Sequence, residues 1–368
     1  MAVTAITDLF VPEVIGDLAT NILFKKTPLL RSGVVANVTN AIFSAGGNTI
    51  TFPYFSTTTT SLVQTNPGAT RTGVTATNVT MSSYDETLKS KIISLDFDKN
   101  AMADVLQSAG LNEHVAEIVA KESSLDIQNS LVLSAEETDL SLSILGDSEK
   151  TLNVDAILAA KMKRGEYAGD GTPILFVHTK QATDLMLTDD FKTLATAATT
   201  SLVIAGTQAP PGAIGMVHGV WIVPMDSIRN QSAIPAISGI TRSSAVATVT
   251  TAAAHNLRVG DYVVISGATE TEYNGTFLVA TVPTSATFTY AVTGTPSSPA
   301  TGSPAFTAVY NAIMVWPGAL GLAPKKAITS TIKDVHPGTT VMTVDFDFRY
   351  GNTLYRRKPR EAVRLFTR

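Results

Sequence analysis

The side chains that ordinarily perform catalysis or hold metals are scattered through this sequence. The five histidines, His114, His178, His218, His255 and His336, include no pair at metal-ligand spacing. Asp189-Asp190 and Asp345-x-Asp347 could offer carboxylates to a hard cation, but an N-cap and alternate solvent-facing positions on a strand explain them more simply. The glycine-rich stretches match neither the dinucleotide fingerprint nor the phosphate loop, and no Gly-x-Ser-x-Gly elbow occurs. The absence of cysteine excludes thiolate nucleophiles, thiolate zinc sites and disulfides. These residues point away from an enzyme, and they call for no cofactor and no metal.

What remains is the chemistry of contact. Arg71 is the lone cation of a threonine-rich stretch; it is either a solubility residue or the partner of a carboxylate on a neighbouring copy. Glu113, Glu117, Glu122, Asp126, Glu136, Glu137 and Asp139 crowd around one predicted helix, opposed locally only by Lys121. The C-terminal segment carries Arg349, Arg356, Arg357, Lys358, Arg360, Arg364 and Arg368 against Glu361. These are two solvated faces, or an acidic helix and a basic tail that meet within or between subunits and set register. Ile15, Leu18 and Ile22 fall with Ala19 and Leu23 on one stripe of a predicted helix over 11–25, an arm that needs a surface to lie on.

The elements that must position these residues begin with a ribbon. Thr49 to Phe55 reads as a strand, and the chain returns through Val74 to Met81 around a tip turned at Asn66-Pro67-Gly68. A two-stranded ribbon is marginal in water, and this one has few apolar residues to set against an ordering cost of about 1 to 2 kcal/mol per residue. It is therefore expected to lie on another copy of the chain. Asn112 is placed to cap a long helix running to Ala135, with Val115, Ile118, Val119, Leu125 and Val132 apolar and Glu122 and Asn129 interrupting the stripe. From Asn153 the pattern becomes α/β: a capped helix, a buried strand at Ile174 to Val177, a short helix capped by Thr179, and strands at Gly215 to Pro224 and Ala312 to Trp316. Trp221 and Trp316 read as core of that region. Between these pieces the composition turns to Thr, Ala, Ser and Val. Four strands are predicted there, at Ala245–Thr251, Tyr262–Ser266, Thr276–Val282 and Thr287–Val292, with an Asn274-Gly275 turn and a return linker over Thr293 to Pro304. This is a small all-β domain inserted in a loop. A long alternating strand from Thr339 to Gly351 is expected beside the long helix.

With 368 residues, 44% of them hydrophobic, the chain can fill about two or three cores. Charged residues make up only 16%, below the roughly 25% of ordinary soluble domains, as expected of a surface covered by repeated contacts. No stretch approaches the ~20 apolar residues of a membrane span, and Asp8, Glu13 and Asp17 break any signal-like run, so an unexported chain with no membrane partner is expected. A net charge of −4 disfavours a dedicated nucleic-acid binder but not a container for nucleic acid.

The order of parts resembles the tailed-phage major capsid proteins of the Hong Kong 97 type. The resemblance rests on the N-terminal arm, the entry Gly47-Asn48-Thr49-Ile50-Thr51-Phe52-Pro53 into an extended loop, and the long helix. It continues through Gly212-Ala213-Ile214-Gly215, Gly219-Val220-Trp221-Ile222-Val223, Gly318-Ala319-Leu320-Gly321 and Arg349-Tyr350-Gly351. The insert is similar to small β modules of phage structural proteins through Val259-Gly260-Asp261, Ile265-Ser266-Gly267-Ala268-Thr269 and Tyr273-Asn274-Gly275-Thr276-Phe277. The implied fold class is α+β: N-arm (1–44), extended β loop (45–98), peripheral domain with spine helix and strands (99–150 with 325–368), α/β axial domain (151–235 with 309–324), and an inserted Ig-like or small-barrel all-β domain (236–308).

The resemblance implies hexamers and pentamers of this chain in an icosahedral head, assembled in the host cytoplasm around packaged double-stranded DNA that is held by non-specific proximity. Maturation from a procapsid, a portal and a possible decoration protein follow from the same family. The arm begins almost at Met1, so scaffolding is expected from a separate protein unless the chain is a mature product. The candidate inter-subunit residues are Arg71, Ile15, Leu18, Ile22, Glu117, Glu122, Arg356 and Arg357. The insert is expected to project outward and stiffen a capsomer. Rival readings are a tail-tube or decoration protein, on the β insert alone, and an α/β enzyme with a β accessory module, which lacks an acid/base or nucleophile pairing. Some relatives cross-link a loop lysine to a neighbour's asparagine, but residues 56–84 here contain no lysine. Intact particles run on denaturing gels should therefore release monomer only; a covalent dimer band would refute this.

Overall fold

The computed structural model describes residues 12–23, 25–37, 42–43, 49–56, 80–98, 111–136, 141–143, 151–165, 171–192, 209–228, 235–335, 341–354 and 362–367. The chain forms two compact units, Met1–Ser134 with Gly318–Glu361 and Ala135–Pro317 with Ala362–Arg368.

The first unit is framed by a sheet in the order β1 (Val35–Asn37), β18 (Leu320–Val335), β19 (Val341–Leu354), β5 (Lys89–Asp98). β18 and β19 run antiparallel from Leu320↔Leu354 to Val335↔Met342, with a bulge between Pro324 and Lys326, where a missing N–H costs no ladder bond. Alternation along β19 buries Val344, Phe346, Phe348 and Tyr350 on one face. The opposite face differs from the sequence expectation: Asp347 is partly exposed and pairs with Lys326 at 2.9 Å, but Asp345 is buried and accepts from Ser94 Oγ at 2.6 Å. β18 was not foreseen, because Lys325, Lys326 and a run of Thr and Ser break its apolar alternation.

Helix α1 (Pro12–Leu23) lies on β18, burying Ile15, Ala19 and Leu23. Gly16 permits the approach, since a Cβ there would stand 2.6 Å from the Ile328 carbonyl oxygen. Thr20 fastens the contact by donating to Gly16 O (2.9 Å) and accepting from Ile328 N (3.3 Å). The arm helix thus finds its surface within its own chain. This corrects the reading of Ile15, which is 0% exposed and has nothing left to offer a neighbour.

Helix α3 (Leu111–Glu136) starts one residue before Asn112, which is therefore inside the helix and not its cap. The face it buries includes Val115, Val119 and Val132, as expected, but also Ala116, Ala120, Ser123, Ser124, Ile127, Gln128 and Leu131, while Ile118 is exposed. Small residues let neighbouring backbone come close, and several of the polar ones find partners, although the buried Ser123 hydroxyl has none among the described residues. Gln128 Oε1 accepts from Leu29 N (3.2 Å) in α2 (Pro28–Arg31), and Ser130 and Ser134 bond the amide of Asn352 on β19 at 2.8 and 2.7 Å.

The ribbon joins β2 (Ile42–Phe43), β3 (Thr49–Ser56) and β4 (Thr80–Thr87), with Thr49 opposite Thr87 and Ser56 opposite Thr80. The described return strand, Thr80–Thr87, takes in the end of the 74–81 reading and runs beyond it, and residues 57–79, with Arg71, are outside the described residues. The root of the ribbon does have a core: Ile50 and Phe52 are fully buried, and Gly351 leaves the room that Ile50 fills.

The second unit contains a six-stranded sheet, β6 (Ser141–Ser143), β20 (Ala362–Thr367), β17 (Tyr310–Val315), β7 (Ile174–Val177), β9 (Val220–Pro224), β8 (Gly215–Val217). Helices α4 (Val154–Met162) and α5 (Thr179–Leu187) cover one face, sharing a core with Leu175, Val177, Ile222, Met314, Trp316 and Leu365. Asn153 caps α4 through Ala156 N (2.9 Å). The cap of α5 is His178 and not Thr179: its Nδ1 accepts from Lys180 N at 3.1 Å while Gln181 reaches back to His178 N at 3.0 Å, a capping box in which imidazole replaces the usual hydroxyl. Trp221 and Trp316 are core, the latter beneath the Arg164 guanidinium at 4.6 Å. β20, which the sequence reading grouped with the peripheral strands of 325–368, is an interior strand of this sheet with every residue buried.

In the same unit the insert forms two small sheets around one core. β10 (Ile237–Ser243), β11 (Val246–Thr251), β15 (Thr287–Ala291) and β14 (Thr281–Thr284) form one; β13 (Gly275–Leu278), β12 (Tyr262–Ala268) and β16 (Gly302–Thr307) form the other. Ile240, Val249, Val263, Ile265, Phe288 and Tyr290 meet between them. The predicted Thr276–Val282 strand divides into β13 and β14, and β16 arises where a linker was expected. Asn274 does more than turn the chain, its amide accepting from Ala268 N (2.9 Å) and donating to Ala268 O (2.7 Å).

Gly16 and Gly351 both stand where a Cβ has no room. Gly16 faces a backbone carbonyl that cannot turn aside, and Gly351 faces the Cγ2 branch of the fully buried Ile50, where a Cβ would stand 2.5 Å away. Gly16→Ala should lower stability by about 1–3 kcal/mol despite a gain of about 1 kcal/mol in helix propensity. Thermal unfolding checks this; an unchanged midpoint for Gly16→Ala would mean that α1 does not sit so closely on β18.

Candidate assembly surfaces

Among the described residues no group of three or more His, Asp or Glu could hold a metal ion. The surfaces with chemical character lie in the first unit, where α1 and the first turns of α3 leave an open groove of about 490 Å³ lined by Leu18, Ile22, Glu113, His114, Ala116 and Glu117. Its apolar side comes from α1: with Ile15 turned inward to β18, Leu18 and Ile22 lie at the edge of the buried stripe and stay half-exposed, as a helix on a sheet requires. Its acidic side comes from residues a helical turn apart on α3. Lys26 crosses the end of the groove and donates to Glu117 Oε1 at 2.7 Å. That bond and the lysine charge hold the Glu117 carboxyl below the usual carboxylate range. Such an exposed pair contributes little stability but orients the carboxylate.

The solvent face of α3 continues through Ile118, Lys121, Glu122 and Asn129, all exposed. Among the described residues of this unit the exposed large apolar side chains are Val14 on α1 (47%), Ile118 on α3 (40%) and Ile92 on β5 (55%). A second cavity, about 290 Å³, opens between α1, α3 and β18–β19, with Leu23, Ile127, Ile328 and Phe348 as walls and Lys325, Lys326 and Arg349 among its lining. Tyr350 closes it, its ring stacked on Phe348 at 5.5 Å and its hydroxyl donating to Asp126 Oδ2 at 2.8 Å; burial and the Asp126 charge push that phenol well above its ordinary value.

The sequence-predicted contact residues therefore separate. Leu18, Ile22 and Glu117 come together in one groove, Glu122 sits further along the same helix, and Ile15 is internal. Arg71, Arg356 and Arg357 lie outside the described residues. The proposed meeting of acidic helix and basic tail is not found among the described residues: Glu117 pairs with Lys26 of the arm and Asp126 with Lys91 of β5 at 3.2 Å. Arg364, counted with the tail, is buried in β20 and its Nη2 donates to Asp261 of the insert at 3.1 Å. No local pattern could have found that pair, because 103 residues separate its members.

No protein-family model matches the chain, and no curated protein matches it by sequence. Solved structures do match in fold. The capsid of Ralstonia phage GP4 superposes with a TM-score of 0.57 at 10% identity, over 92% of this chain and 87% of that one. The head of Helicobacter pylori bacteriophage KHP40 gives 0.51 at 10% identity, over 93% and 90%. The acid-stable capsid of Helicobacter pylori bacteriophage KHP30 gives 0.50 at 11% identity, over 90% and 85%. The chain has the α+β fold of these phage capsid subunits, the Hong Kong 97-type arrangement that the order of its parts suggested.

Proposed function

We propose that this chain is a major capsid protein, a non-enzymatic subunit that assembles with copies of itself into the icosahedral head of a tailed phage. The observation that supports this most is the likeness to the Ralstonia phage GP4 capsid, which spans 92% of the chain and so leaves little of it for another task. The physical chemistry agrees with it. A surface with few charges, a ribbon whose 57–79 stretch holds a single charged residue, and an open groove with an apolar side suit a molecule that completes its burial by association. A net charge of −4 suits a wall that must contain DNA without gripping it. In this reading the shell consists of hexamers and pentamers, with separate scaffolding, portal and decoration proteins as partners, and it forms in the host cytoplasm and persists in the virion. The arm–spine groove and Arg71 are inter-subunit contacts, Arg71 meeting a carboxylate on its neighbour.

Electron microscopy of the purified protein or its expression lysate tests this directly. Closed polyhedral particles are expected; tubes or small discrete oligomers would overturn the reading. Leu18→Glu and Arg71→Glu should each reduce particle yield severalfold while leaving the subunit folded, since surface substitutions typically change stability by no more than about 0.5 kcal/mol. Wild-type yield from both would remove these residues from the contact, whatever the particle's shape.

A further inference from the structure

Apart from these surfaces, the most deeply buried ion pair among the described residues is Asp261–Arg364. Asp261 stands in the turn before β12 and is fully buried; Arg364 lies in β20 and is 5% exposed. The carboxylate accepts from Arg364 Nη2 at 3.1 Å on one oxygen and from Arg258 N at 2.8 Å on the other. The guanidinium lies 4.7 Å from the centre of the Phe366 ring, which meets Tyr262 edge-on at 4.8 Å, and Phe366 packs with Val264 and Val309 in a small apolar cluster. These contacts form the seam between the inserted β domain and the six-stranded sheet. Nearer solvent, Arg258 also faces Glu136 at 3.9 Å.

A carboxylate buried without a partner is far costlier than one left in water. The insert can therefore bury its Asp261 face only where a cation already waits, and Arg364 waits there only once β20 has entered the sheet between β6 and β17. The insert leaves the chain after β9 and rejoins at β17, whereas β20 is the last strand. We propose that Asp261–Arg364 is a latch that couples the docking of the insert to the seating of the C-terminal strand. With β20 in place the insert is a fixed part of its unit; with the pair broken it stays folded about its own core of Ile240, Val249, Phe288 and Tyr290 but comes away from the sheet. Coupling of this kind is reciprocal, so loosening the insert also loosens β20. The latch is a property of the single chain and does not depend on the shell reading.

Hydrogen exchange on the full-length protein tests this. Asp261→Asn keeps an oxygen for Arg258 N and removes the charge. Exchange should quicken on the order of a hundredfold, as loss of one partner of a buried pair implies, at 258–261 and in 362–367, while 246–251, 262–268 and 287–291, which pair within the insert, keep wild-type protection. Unchanged exchange at the seam would overturn the latch, and so would exchange rising through the whole insert, which would make the pair a folding contact. The double variant Asp261→Asn/Arg364→Gln replaces the ions with an amide pair and should recover most of the protection. Continued fast exchange there would overturn the proposal by showing that lost packing, and not uncompensated charge, opened the seam.

Discussion

A sixteen-residue strand such as β18 carries many backbone donors and acceptors, and it is ordered where neighbours take up an edge along its length and cover a face. β19 supplies one edge along most of its length and β1 pairs with the other near Leu320–Leu322, while α1 lies on it. β19 in turn carries β5, and its Asn352 and Tyr350 side chains reach α3. The first unit is consequently organised around one long antiparallel ladder. Gly16, Gly351, Asp345, Ser130 and Ser134, which look unpromising for packing, are the residues that allow close approach to it or give its polar groups partners.

The second unit solves a different problem: how to accept a domain in the middle of a chain without leaving a hinge. Apolar contact alone, here Phe366, Tyr262, Val264 and Val309, tolerates sliding. A buried ion pair does not, because moving either ion off its partner leaves a charge in a low-dielectric interior. The Asp261–Arg364 contact therefore contributes orientation more than net stability, and it ties that orientation to the final strand of the chain.

The groove beside α1 arises from the same economy of faces. A helix that rests on a sheet buries one stripe and leaves its flanks part-wet, so Ile15 becomes core while Leu18 and Ile22, on the same predicted stripe, remain available. Hydrophobicity does not distinguish these three residues; the position of β18 does.

What the sequence determined by itself was everything with a short-range cause. The length and place of α3, the Asn153 cap, the buried strand at Ile174–Val177, the core placement of Trp221 and Trp316 and the all-β insert follow from periodicity, turn chemistry and composition, and the order of those parts sufficed to suggest the fold. Tertiary structure alone decided the partners. β18 was illegible because its lysines and threonines are excused by strands far away in sequence, β20 because six residues carry no mark of the sheet they will enter, and the covered face of α3 because Ser130 and Gln128 are met by Asn352 and Leu29 N, partners that only the fold brings near. Arg364 looked like one more solvated cation, and only the fold could bring Asp261 to it, since a pair across 103 residues is specified by the path of the backbone and not by any neighbouring residue.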